Sequence, residues 1–192
     1  MIAALDVGYF DGAAAGDNGA PTDGDAAFAV AAAVVFKDWT DPAPTAETRV
    51  RVAPVASYEP GSFYKRELPC LLRVLDALTT PPRTIVVDGH AWLSDGVPGL
   101  GAHLHRALDG RAAVVGVAKG SFRGSPDAAP VLRGQSRQAL YVTAVGLDIS
   151  DAVGALQAMH GPFRIPTLLK RVDALSRDPA FTEDQPTDGQ IR

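Results

Sequence analysis

The sequence predicts a single α/β domain, a mixed β-sheet flanked by α-helices. Three observations carry that expectation. The first third holds three strand-like runs separated by turn-rich segments. From Glu67 onward, helical periodicity alternates with short apolar strands. No repeat or linker interrupts the 192 residues, a length that suits one domain with a sizeable core.

Each element has its own signal. "IAALDVGYF" is an apolar strand holding one acid, Asp6. "DGAAAGDNGAPTDGD" lacks periodicity and is a loop. "AAFAVAAAVVF", rich in Val and Phe towards its end, is a second strand. After the proline-marked turn "DWTDPAPTAE", "TRVRVAPV" alternates as a third strand with one wet face, and the three make an antiparallel meander. "ELPCLLRVLDAL" places Leu68, Leu71, Leu72 and Leu75 at helical spacing, with Pro69 in the first turn. "RTIVVDGH" is a strand ending in Asp88. "GLGAHLHRAL" is a helix, "AAVVGVAK" and "ALYVTAVG" are strands, and "ISDAVGALQAMHG" and "IPTLLKRVDALSR" are the last two helices. The expected domain spans 1–178, followed by a loose polar tail at 179–192.

Composition narrows the function classes. Apolar residues are 46% and charged residues 21% of the chain, a globular balance. A net charge of −4 argues against bulk nonspecific nucleic-acid binding but leaves room for a local basic patch. Cys70, the single cysteine, forms no internal disulfide and no thiolate zinc site. The start "MIAALDVGYF" has no secretory pattern, so a cytoplasmic protein is expected. No apolar run is long enough for a membrane span.

Acids stand where packing alone does not ask for them. Asp6 lies inside an apolar strand, Asp88 ends another, and Glu67 enters a helix. Alone, Asp6 could pair with an arginine or cap a turn, and Asp88 could begin the turn before Gly89. Together, carboxylates converging at a sheet edge would hold a hard divalent cation such as magnesium, which can activate water for phosphodiester hydrolysis. The loop "SYEPGSFYKRELP" adds an aromatic, a rigid proline and a permissive glycine. "KGSFRGSPDAAPVLRGQSR", with Lys119, Arg123, Arg133 and Arg137, is the most basic stretch; it could track a phosphate backbone or be a solvated loop. His90, His103, His105 and His160 lack metal-site spacing; His103 and His105, two apart on a helix, share no face.

The segments "ALDVGYF", "YEPGSFYKRELP", "IVVDGHAWLSDGVPGLGAHL", "VVGVAKGSFRG" and "FRIPTLLKRVDAL" resemble, in order, the motifs of the endonuclease V family. The likeness runs from residue 2 to about 175. It implies a ribonuclease-H-like fold and a nuclease for deaminated adenine (inosine, hypoxanthine) in DNA, RNA or both. Asp6, Glu67 and Asp88 match the family's metal-binding acids, for magnesium or its substitute manganese. Asp173 matches a fourth ligand or water-positioning group, and Lys119 a lysine that neutralises phosphate charge. Tyr58 and Pro60 match the wedge that enters the duplex while the base is flipped out. Gly61, Phe63 and Gly89 would line the base pocket, and Arg123 would meet the backbone. A monomer with a nucleic-acid partner and no membrane partner is implied.

The departures are local. Gly8 replaces the serine of D-V-S-Y, and Ala91 the last glycine of D-G-H-G. Ser94, Asp95 and Gly96 replace an H-P-R triplet, removing an imidazole and a cation and adding a negative charge. Ser62, Tyr64 and Lys65 replace residues after the wedge. A homologue that binds inosine-containing or structured nucleic acid but cuts poorly is one alternative; a ribonuclease-H-like nuclease with another substrate is a second.

Overall fold

The computed structural model describes residues 1–10, 28–57, 59, 61–122, 128–178 and 180–181. The loop expected at 11–25 lies outside the described residues, as does the tail at 179–192 apart from residues 180–181.

Nine strands and four helices are described. They are β1 Ile2–Phe10, β2 Phe28–Phe36, β3 Ala46–Val52, α1 Tyr64–Asp76, β4 Thr84–Asp88, β5 Trp92–Ser94, β6 Val97–Pro98, α2 Leu100–Ala107, β7 Ala113–Ala118, β8 Ala129–Val131, β9 Leu140–Val145, α3 Ile149–Ala158 and α4 Thr167–Ser176. Seven strands form one mixed sheet in the order β3-β2-β1-β4-β7-β9-β8. The meander β1-β2-β3 is antiparallel, β1, β4 and β7 run parallel, and β9 returns antiparallel to β7.

Helices cover both faces. Cys70, Leu71 and Val74 of α1 and Leu100 and Leu104 of α2 pack on Leu5, Ile85, Val87 and Val114. Ala152 and Leu156 of α3 and Leu168, Val172 and Leu175 of α4 pack on Ala4, Val86, Val115, Val117 and Val142. This two-sided burial explains why β1, β4 and β7 read as nearly unbroken apolar runs. It also explains β2, whose alanines favour helix in isolation but let helices approach both faces of the sheet.

Two expectations on α1 need correction. The helix begins at Tyr64, so Pro69 lies inside it rather than in a first turn. The chain enters through Lys65 N–H to Ser62 O and Arg66 N–H to Phe63 O, and Pro69 forgoes one backbone bond on the exposed side. The buried stripe is Glu67, Cys70, Leu71 and Val74, with Leu68, Leu72 and Leu75 on its flank. An acid therefore occupies the first position of an apolar i, i+3, i+4, i+7 face. The short hairpin β5–β6 and the edge strand β8 had no sequence signal. Each is at most three residues long, and β8 carries Pro130, which only an edge tolerates.

Candidate active site

The parallel register brings the acids together. Leu5 of β1 pairs with Val87 of β4, so Asp6 and Asp88 are the next residues on neighbouring strands. Both follow by two the residues Ala4 and Val86, which face α3 and α4, so both are directed to that side. Asp88 pairs with Val117 of β7, and Lys119 lies two residues further. Its Nζ donates to Asp88 Oδ2 at 2.8 Å and stands 3.9 Å from Asp173 Oδ1 of α4. Arg177 reaches the same Asp173 oxygen at 3.0 Å. Glu67 of α1, on the buried stripe, lies close enough to feel the negative charges of both Asp6 and Asp88.

Asp6 and Glu67 are nearly inaccessible, at 9% and 6% exposure, whereas Asp88, Lys119 and Asp173 open to solvent. Burial, reinforced by the negative charges of Asp6 and Asp88, pushes Glu67 up to about 8. Its Oε2 is buried without a hydrogen-bond partner. Burial also raises Asp6, helped by Asp88 and Asp173 and opposed by the Ser176 hydroxyl, which donates to Asp6 Oδ2 at 2.6 Å. For Lys119, burial works against the charged ammonium, but the Asp88 hydrogen bond and the surrounding carboxylates outweigh it and hold the lysine protonated.

This donor set has the chemistry that a hard divalent cation takes. It consists of carboxylate oxygens, one of them orphaned in the interior, with negative charge in excess of the lysine that answers it. Among the described residues, no three acidic, histidine or cysteine side chains are placed to hold a metal ion together; the ammonium of Lys119 neutralises Asp88.

Beside Glu67, the Arg66 guanidinium lies 4.1 Å over the Tyr9 ring, and Tyr9 meets Phe63 edge-on at 6.4 Å. The exposed Phe63 is thus placed near the acids. Gly61 and Gly89 both adopt positive φ, +78° and +130°, which a side chain would resist. Tyr58, Pro60 and Arg123 lie outside the described residues.

Arg133 does not belong to a phosphate-tracking surface. It is buried, and its guanidinium donates to the carbonyls of Phe163 at 2.9 Å, Arg164 and Gly161 at 3.4 Å, and Met159. A charge on a basic stretch carries no mark of burial, so sequence alone did not separate it from exposed Arg137. His103 stacks on Tyr64 and His105 bonds the Ala112 carbonyl, both structural contacts.

Ser176 had no sequence signal, since its contact with Asp6 spans 170 residues. It also accounts for Gly8: a Cβ there would lie 2.1 Å from the Ser176 carbonyl oxygen. Gly8 leaves room for the end of α4, which brings the Ser176 hydroxyl to Asp6.

Fold and site together define a class: an α/β protein whose mixed sheet gathers carboxylates at the carboxyl ends of its parallel strands, where such sheets place ligands. The chain belongs to the endonuclease V family, whose model matches residues 2–167. It is 35% identical over 140 residues to endonuclease V of Streptomyces avermitilis, covering 62% of this chain and 60% of that protein. The chain thus spans about three fifths of that curated relative's length. A crystal structure of the Streptomyces avermitilis endonuclease V superposes with a TM-score of 0.69 at 29% identity, over 92% of this chain and 79% of that one. Endonuclease V of Ciona intestinalis, in complex with a 23mer DNA containing an inosine followed by a ribo-adenosine, shares the fold with a TM-score of 0.71 at 17% identity, over 92% and 83% of the two chains.

Proposed function

We propose that the chain is a magnesium-dependent endonuclease for nucleic acid containing deaminated adenine. It would hydrolyse a phosphodiester bond 3′ to the lesion, the second one, leaving 3′-hydroxyl and 5′-phosphate ends. The observation that carries this reading is that Asp6 and Asp88 end up side by side on neighbouring strands while the buried Glu67 feels both their charges and leaves Oε2 without a protein partner. A protein has no structural need for that concentration of buried carboxylate, and its cost is offset when a cation binds. The Ciona relative's inosine-containing DNA supports the choice of lesion.

Asp6, Glu67 and Asp88 would hold the ion, with manganese able to substitute. When bound, it lowers the pKa of water and offsets charge on the phosphate. The chain's own groups supply the rest. Ser176 orients Asp6 through its 2.6 Å hydrogen bond. Lys119, kept protonated by the acids around it, neutralises negative charge as it grows in the transition state. Asp173, opposite Lys119, positions the attacking water. Tyr58 and Pro60 enter the stack that the flipped base leaves, and backbone groups at Gly61, Phe63 and Gly89 read its Watson–Crick edge.

The test is cleavage of end-labelled strands, DNA and RNA, carrying inosine or adenine at one position, in magnesium or in EDTA. Cutting of inosine strands in magnesium alone is the expected result. Equal cutting of adenine strands would remove the lesion specificity, and cutting in EDTA would remove the metal.

A further inference from the structure

A second recognition element lies on the opposite face of the sheet from α1. Between the sheet and α4 is a cavity of about 440 Å³ that opens onto Asp6, Asp88, Lys119 and Asp173. Its floor is apolar, built from Val86, Val117, Leu140, Ile165, Leu169 and Val172. At its mouth stand Phe163, Arg164 and Lys170.

Phe163 is 68% exposed, the most exposed large apolar side chain among the described residues. Its loop is nevertheless tightly held. The buried Arg133 donates to the carbonyls of Phe163, Arg164 and Gly161 and to that of Met159. Arg164 in turn donates to Lys119 O at 2.6 Å and Ala139 O at 2.7 Å. Gly134 lets the loop approach closely, since a Cβ there would lie 2.2 Å from Pro162 O. A pinned backbone thus presents a bare aromatic face to water, beside cations and one residue from a hydrogen bond to the lysine of the site. An aromatic face with adjacent positive charge fits a nucleobase and its phosphate.

We infer that Phe163, with the cavity behind it, is a stacking subsite for an unlesioned nucleobase of the bound strand. That base would belong to a nucleotide flanking the cut phosphate on the α4 side. Lys170, exposed on α4, would screen its phosphate. The subsite rests on the nuclease reading and deepens it: the strand would be gripped on both sides of the acids, by the flipped lesion at one and a stacked neighbour at the other.

The experiment measures affinity of the full chain for a labelled inosine-containing strand in EDTA, where the strand stays intact. Phe163→Ala is expected to weaken binding about 5- to 150-fold, the range for losing one stacked base, whereas Phe163→Trp keeps parent affinity. Single abasic positions are then scanned along the strand. One flanking position should weaken parent binding and have no further effect on Phe163→Ala, marking the base that stacks there. Parent-like affinity of Phe163→Ala for a strand the parent binds would overturn the subsite while leaving the nuclease reading intact. Loss of affinity in Phe163→Ala with no coupled position would also overturn it. A parent that binds no inosine strand would remove both. Because Phe163 is exposed, the variant should melt with the parent, separating lost stacking from lost fold.

Discussion

Glu67→Gln converts the buried acid into a neutral isostere, and its effect follows from the site's electrostatics. Unfolded, Glu67 loses its proton near 4.5; folded, burial beside Asp6 and Asp88 holds it to about 8. Between those values the folded chain binds more protons than the unfolded one, so stability is fullest below the lower value and is lost as pH rises through the upper. At about 1.36 kcal/mol per pH unit the whole gap is up to about 5 kcal/mol, of which about 3 kcal/mol is felt by pH 7. The amide still has to be buried, so the net gain for Glu67→Gln at pH 8 is about 2 kcal/mol. For a chain of this size that is a rise in Tm of roughly 4–8 °C. Thermal melts of parent and variant in EDTA at pH 5 and pH 8 measure it. The variant should melt somewhat below the parent at pH 5, where the acid is protonated and buried at little ionisation cost, and above it at pH 8. A difference in Tm that is the same at both values would refute the claim that Glu67 carries a pH-dependent burial penalty.

Other outcomes follow from the same geometry. Magnesium should raise the parent's Tm more at pH 8 than at pH 6, because cation and proton compete for Glu67, and should raise that of Glu67→Gln much less; equal shifts in both proteins would place the ion elsewhere. Gly8→Ser should cost about 2 kcal/mol or more in urea unfolding, because the added Cβ meets the Ser176 carbonyl at 2.1 Å; parent stability would mean that α4 does not pack as described. Lys119→Ala should slow single-turnover cleavage by at least roughly tenfold while affinity changes only a few-fold; an unchanged rate would leave the lysine as charge balance for Asp88 alone.

What the sequence made legible follows from which forces act locally. The strands β1, β4 and β7 stand out because burial on both faces leaves a continuous apolar signature, and Asp6 stands out against it. Glu67 was singled out where the loop enters a helix and then matched to the family motif, but its place on the apolar stripe of α1 was hidden by reading Pro69 in a first turn. The adjacency of Asp6 and Asp88 is set by strand register, which no local pattern encodes. Ser176 and Arg133 were missed or misread for the same reason. One reaches Asp6 from the far end of the chain, and the other turns inward to bind the carbonyls of a loop some thirty residues away. Both are decided by tertiary packing rather than residue type.

The most direct measurement is single-turnover cleavage of an inosine-containing strand in magnesium by Asp88→Asn and the parent, with affinity measured in parallel. Asp88 is half-exposed at the end of β4, so the amide should fold normally while removing one carboxylate from the cluster. A rate loss of about a thousandfold or more, with affinity within a few-fold of the parent, is expected if the carboxylates carry the chemistry. Cleavage by Asp88→Asn at the parent's rate would contradict it.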